Sequence, residues 1–172
     1  WKTNAAVEYT VPVERNGVAV APPEHLTTAL GQEAAAFVRR HTGEPWFLYL
    51  AFNAPHTPHE PTAERLERFS GIKDPKRRSY AAQLSLMDDA IGEALGALRE
   101  TGQRGRTLVF FFSDNGGPLG ATGNGSDNGS LRGGKGSLFE GGVRVPFLVS
   151  WPAKIQPGTY EEPVIALDFL AT

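Results

Sequence analysis

Residues 113–117, Ser-Asp-Asn-Gly-Gly, follow the apolar run Leu108 to Phe112. An anionic oxygen donor and an amide oxygen donor thus stand at the end of a rigid segment. Glycines behind them let the backbone turn sharply. Ca2+ and Mg2+ take ligands of this kind. Asp and Asn are also ordinary turn formers, and Asn-Gly is a routine turn pair. Two ligands make no cation site by themselves, so Asp114 and Asn115 require further carboxylates. Downstream, Arg132-Gly133-Gly134-Lys135 sets an ammonium in a glycine-rich loop. Backbone N–H groups and that ammonium can converge on an anion there; the alternative is a solvated surface lysine. His56 lies in Asn53-Ala54-Pro55-His56-Thr57-Pro58-His59. It could bind or protonate an oxyanion, or be a loop histidine fixed between prolines. His59 has no motif in support of such a role.

Other constellations are set aside on chemical grounds. Gly129 to Lys135 satisfies the spacing of a nucleotide-binding glycine loop. However, Gly136 stands where Ser or Thr should meet Mg2+, and loop rather than strand precedes it. Asp88 and Asp89 are neighbours on a helix and point about 100° apart, so a solvated face or a salt bridge fits them better than a metal. Asn124-Gly125-Ser126 and Asn128-Gly129-Ser130 match glycosylation sequons, a coincidence expected in so Gly/Asn/Ser-rich a loop.

The elements that must position these residues alternate. Residues 1–25 read as irregular, with a turn at Asn16-Gly17. Residues 27–41 read as a helix with Leu30, Ala34, Phe37 and Val38 on one face, ended by Gly43. Trp46 to Phe52 reads as a buried strand. A short helix is expected around Ala63 to Phe69. A long helix from Arg77 to Glu100 carries the stripe Tyr80, Leu84, Met87, Ile91, Leu95 and Leu98, closed by Gly102 and Gly105. Strands 107–112 and 145–150 follow. Strands alternating with helices predict an α/β layered sheet with parallel neighbours. In such sheets ligands lie beyond the carboxyl ends of strands, where His56 and Asp114-Asn115 fall.

Composition narrows the function classes. At 172 residues and 40% hydrophobic, the chain is one domain's worth of sequence with material for a core. A formal net charge of −2 argues against electrostatic nucleic-acid binding. No apolar run approaches the roughly 20 residues of a membrane span. The absence of cysteine excludes thiolate ligands, disulfides and a cysteine nucleophile within these residues.

Together the motifs resemble the sulfatase family of the alkaline-phosphatase-like superfamily. Phe47 to Pro58, Ser113 to Gly117 and Leu131 to Pro146 match in family order. Trp151-Pro152-Ala153-Lys154-Ile155 and Asp168 to Thr172 also fit. The resemblance runs from about residue 27 to the end, and is nearest the arylsulfatase B-like and N-acetylgalactosamine-sulfatase-like branch. It implies an alkaline-phosphatase-like layered α/β fold with a mostly parallel central sheet flanked by helices. It implies Ca2+ (Mg2+ as the alternative) on Asp114 and Asn115. His56 would stabilise or protonate the leaving oxygen, and Lys135 would hold the sulfate. The substrate would be a sulfated small molecule or glycan. The compartment, by family habit, would be periplasmic or secreted, or lysosomal in a eukaryote.

The nucleophile departs from the pattern. The family uses formylglycine, made from Cys or Ser in a C/S-x-P-x-R motif ahead of the histidine. Ser150-Trp151-Pro152-Ala153-Lys154 is a near miss, but it comes too late and ends in lysine. Ser150 therefore reads as a strand-end serine. The Asp pair that completes the metal site and the Lys/His motif after the nucleophile also have no counterpart. The chain is thus expected to be the middle-to-late portion of a sulfatase catalytic domain, without the N-terminal nucleophile segment and a C-terminal subdomain, and inactive alone. Two other readings stay open: a phosphodiesterase or phosphonate monoester hydrolase of the same superfamily, and a non-catalytic anion- or glycan-binding module.

Overall fold

The computed structural model describes residues 13–21, 23 and 25–170. β1 (Val13–Arg15) and β2 (Val18–Val20) pair antiparallel with Arg15 opposite Val18. Their turn places Asn16 at φ 53° and Gly17 at φ 76°. Both angles are positive, as the tight hairpin turn requires, and Asn and Gly tolerate that best. The stretch read as irregular therefore contains a hairpin at residues 13–20, while residues 1–12 lie outside the described ones.

Two helices form the body. α1 is Leu26–Arg40 and α3 is Pro75–Glu100; the short α2, Ala63–Glu67, lies between them in sequence. α3 starts two residues ahead of the expected Arg77. Asp74 accepts from the Arg77 N–H at 2.6 Å, and Pro75 occupies the first turn; such a cap contributes about 1 kcal/mol. At its end Gly102 has φ 68°. Gln103 N–H reaches Leu98 O at 2.8 Å and Gly102 N–H reaches Arg99 O at 3.1 Å, closing the last turn.

The face that α3 buries differs from the expected stripe. Ala82, Leu86, Ala90, Ala97 and Leu98 are buried, whereas Leu84 is exposed and Tyr80, Met87, Ile91 and Leu95 are half-buried. The reason is close approach. A methyl built on Gly31 of α1 would lie 2.6 Å from Ala90 Cβ, so the seam admits only small side chains. Ala35, Val38, Ala97 and Leu98 form the core, with Trp46, Leu95 and Val109 packed against it.

Gln103 ties this core together. It is 2% exposed. Its Nε2 donates to Val38 O at 2.9 Å and Thr101 Oγ1 at 3.0 Å, and its Oε1 accepts from Trp46 Nε1 at 3.0 Å. Gln103→Ala would leave the half-buried Trp46 indole N–H without its acceptor and Val38 O with only the His41 N–H at 3.3 Å, and a polar group left unpaired costs about 1–3 kcal/mol. We expect a loss of about 2–4 kcal/mol in denaturant unfolding, from the lost hydrogen bonds together with the cavity the side chain leaves.

The sheet also departs from expectation. β3 (Val109–Phe112) pairs with β4 (Phe147–Ser150), and the pairing is antiparallel, with Val109 opposite Ser150 and Phe112 opposite Phe147. No parallel pair occurs among the described residues. Trp46 to Phe52 is not a paired strand either. It keeps a strand's alternation, with Trp46, Leu48, Leu50 and Phe52 half-buried and Phe47, Tyr49 and Ala51 exposed. Period-two burial is a property of one segment, but a strand also needs a hydrogen-bonding neighbour. The antiparallel pairing matters for the site. It sets the exit of β3, at Ser113, beside the entry to β4, at Pro146.

Candidate functional site

The exit turn of β3 is fixed from the entry side of β4. Ser113 N–H donates to Pro146 O at 3.2 Å, and Gly116 N–H to Gly142 O at 3.0 Å. Gly142 lies in α4 (Glu140–Val143), a single turn. Gly116 has no alternative residue here: a methyl on it would overlap the Gly141 carbonyl, whose carbon would be 2.8 Å away. Asp114 is exposed at the tip, and its carboxylate makes no hydrogen bond or ion pair with any described residue. Asn115 Nδ2 donates to Gly116 O at 3.0 Å, leaving Oδ1 unengaged.

The Lys135 loop is bound to the same turn. Lys135 N–H donates to Gly117 O at 3.1 Å. Asn128 clamps both sides: its Oδ1 accepts from Gly117 N at 2.8 Å, and its Nδ2 donates to Gly117 O at 3.0 Å and Gly133 O at 3.1 Å. Arg132 supports the loop from outside, its guanidinium 3.8 Å from the centre of the Phe139 ring and its carbonyl accepting from Gly141 N–H at 2.8 Å. Lys135 itself is exposed, with its ammonium unpaired among the described residues. The structure thus brings Asp114, Asn115 and Lys135 onto one framework. Asn128 was legible only as part of a sequon. Nothing in its local sequence marks a clamp, because its partners are 5 and 11 residues away. With its amide engaged three times, it is no free glycosylation acceptor.

His56 stands on a separate loop. Its backbone N–H meets Asn53 O at 2.8 Å, and Nδ1 lies 2.6 Å from Thr57 O. Nδ1 is therefore the protonated nitrogen and Nε2 the free one. The Ala54–Pro55 and Thr57–Pro58 bonds on either side are cis. No hydrogen bond joins His56 to Asp114 or Lys135. His59 packs edge-on to Tyr80, ring centres 5.8 Å apart, and donates from Nε2 to Pro55 O at 3.0 Å. Burial lowers its pKa from 6.5; the Pro55 hydrogen bond opposes this and the neighbouring His56 adds to it. His59 is a neutral ring near pH 7.

The residues set aside from sequence find ordinary partners. Asp89 pairs with Arg65 at 2.6 Å. Ser150 Oγ accepts from Arg104 Nη2 at 2.6 Å, and Trp151 Nε1 donates to Gly105 O at 2.8 Å, fixing the end of β4.

The chemistry of the donor set suits a hard cation in part. Asp114 and Asn115 Oδ1 are adjacent, oxygen-bearing and unengaged, which fits two of the roughly six to eight oxygens Ca2+ takes. No group of three or more His, Asp or Glu side chains that could hold a metal exists among the described residues. No described helix is long and apolar enough to cross a membrane.

Comparison with known proteins bears on what this framework is. A family model described as Sulfatase matches residues 1–172. Mouse (Mus musculus) steryl-sulfatase is 40% identical over 164 residues, which cover 90% of this chain and 25% of that protein. A crystal structure of Ps i-CgsB in complex with k-i-k-neocarrahexaose superimposes with TM-score 0.88 at 42% identity, covering 94% of this chain and 36% of the other. A Bacteroides thetaiotaomicron structure, solved in work on the metabolism of multiple glycosaminoglycans, gives TM-score 0.64 at 30% identity, over 82% of this chain and 30% of its own. The chain spans about a quarter of the length of the curated relatives it matches.

Proposed function

The chain belongs to the sulfatase family, and we propose that it carries one wall of a sulfate-ester hydrolase site, as the middle-to-late portion of the catalytic domain. Asp114 and Asn115 supply two oxygen ligands to Ca2+, with Mg2+ the alternative. Lys135 holds the sulfate, and His56 stabilises or protonates the leaving oxygen. The observation that carries this reading is the shared framework: the Asp114-Asn115 turn and the Lys135 loop are joined through Asn128 and the Lys135 N–H to Gly117 O bond.

The physics favours those roles. When the S–O bond of a sulfate ester breaks, negative charge grows on the departing alkoxide or phenoxide oxygen. Lys135 and a protonated His56 aimed at that oxygen stabilise the transition state more than the ground state. The bound cation would polarise the sulfate and lower the pKa of the attacking hydroxyl. The family's formylglycine has no source in these residues, which contain no C/S-x-P-x-R motif. On this reading it comes from sequence outside them, as do the remaining carboxylate ligands, and the chain alone turns over no sulfate ester. Sulfated sugars are the substrate class that the two structural neighbours support, and a periplasmic or secreted location accords with it.

The test uses the full-length protein. It should hydrolyse 4-nitrophenyl sulfate or a sulfated oligosaccharide well above phosphate diesters and phosphonate monoesters. Chelation should lower that activity at least about 100-fold, as loss of a Lewis acid does, and Ca2+ or Mg2+ should restore it. Asp114→Ala should raise the metal concentration needed. A preference for phosphate or phosphonate esters would sink the reading. So would tight binding of sulfated glycans with no turnover, which is the outcome of a non-catalytic module.

A further inference from the structure

The loop that carries His56 is anchored to α3 through the residues just after it. His56 is exposed, whereas His59 is half-buried. The His59 ring meets Tyr80 of α3 edge-on, 5.8 Å between centres, a directional contact. The Arg77 guanidinium stands 5.4 Å from the centre of the same Tyr80 ring. The next residue adds a second tie: Glu60 N–H donates to Oε1 of the buried Gln83 at 3.3 Å. Prolines occupy positions 55 and 58, so the loop has fewer backbone donors with which to hold itself. A side-chain donor takes their place.

That donor is His59 Nε2–H, which reaches Pro55 O at 3.0 Å. Pro55 O and the His56 N–H belong to one planar peptide unit. The other end of the unit is also engaged, with His56 N–H donating to Asn53 O at 2.8 Å. A peptide plane bonded at both poles does not rock about its flanking dihedrals, so the His56 Cα leaves it in a set direction. The bond from Nδ1 to Thr57 O, 2.6 Å, then fixes the rotation of the ring. Nε2 of His56 is the nitrogen left over, and its aim depends on this chain of bonds. With Nε2 committed to Pro55 O and the ring against Tyr80, His59 acts on the loop.

We propose that His59 is a positioning residue: through Pro55 O it sets the peptide plane ahead of His56, and so the aim of His56 Nε2 at the leaving oxygen. The proposal rests on the sulfate-ester reading above, and the experiment separates the two. Four variants would be made in the full-length protein. His59→Phe keeps a ring against Tyr80 and removes the donor. His59→Gln restores a donor on its amide nitrogen. His56→Ala is made alone and together with His59→Phe. Each is assayed on 4-nitrophenyl sulfate, whose phenoxide leaves readily, and on an alkyl sulfate, whose alkoxide gathers more charge as it departs. His59→Phe should lower kcat about 30-fold on the alkyl sulfate and no more than about threefold on 4-nitrophenyl sulfate, because a misaimed group costs most where the leaving oxygen needs it most. The ratio of the two rates is independent of how much enzyme is folded. KM should stay within about twofold, as for an interaction made in the transition state. His59→Gln should recover most of the alkyl sulfate rate. In the His56→Ala background, His59→Phe should cost less than about twofold, since its effect passes through His56. Equal losses on both substrates, a loss undiminished without the His56 ring, an unchanged rate in His59→Phe, or His59→Gln no better than His59→Phe would each overturn the proposal. A parent inert toward every sulfate ester, or a His56→Ala variant as fast as the parent on the alkyl sulfate, would instead remove the reading beneath it.

Discussion

Lys135→Ala in the full-length protein should lower kcat for aryl sulfate by about 100- to 1,000-fold, the scale of removing one group that stabilises developing charge. The scaffold around Lys135 makes this a clean experiment. What fixes the loop is backbone and Asn128: Lys135 N–H to Gly117 O at 3.1 Å and the three Asn128 bonds. The ammonium is exposed and unpaired among the described residues, so its removal breaks no structural contact. Stability should stay within about 0.5 kcal/mol of the parent, as for surface substitutions generally. Lys135→Arg should recover only part of the rate, because a planar fork does not place its charge where a compact ammonium does. A fall in KM affinity alone, with kcat intact, would assign Lys135 to ground-state binding rather than to the transition state. An undiminished kcat/KM would remove it from the site.

Gly116→Ala should damage stability and activity together. The new methyl would meet the Gly141 carbonyl, its carbon 2.8 Å away, and Gly142 Cα at 3.3 Å. These are backbone atoms, with no rotamer to move aside. The turn and α4 must separate, and the Gly116 N–H to Gly142 O bond at 3.0 Å goes with them. A loss of about 3 kcal/mol or more is expected, from overpacking plus a forfeited buried hydrogen bond. Asp114 and Asn115 sit immediately before the clash, so the metal concentration for half-maximal activity should rise as well. Gly92→Ala is the control. Gly92 is exposed in α3 with nothing within 4 Å of the added methyl. That change should stabilise by about 0.5–1 kcal/mol. Thermal unfolding and a metal titration of both variants check the contrast. If Gly116→Ala matches the parent in both, the two loops are not rigidly coupled.

The sequence by itself determined what depends on near neighbours along the chain. Gly102 marks the end of α3 and Asn16-Gly17 a tight turn, because helix ends and tight turns are made within a few residues. The ordered motifs around His56, Asp114 and Lys135 named the family, since chemistry demands particular side chains at fixed local spacing. Tertiary structure alone decided the rest. Alanines count for little in a hydrophobic stripe, so only the Gly31–Ala90 approach could show that α3 buries Ala82, Ala90 and Ala97. An apolar run marked Trp46 to Phe52 and Leu108 to Phe112 alike, but pairing is a relation between distant segments. That relation made β3 and β4 antiparallel and left the other unpaired. The same holds for Gln103 and Asn128. Each looks like an ordinary polar residue, and its role exists only once folding brings its partners within hydrogen-bond reach.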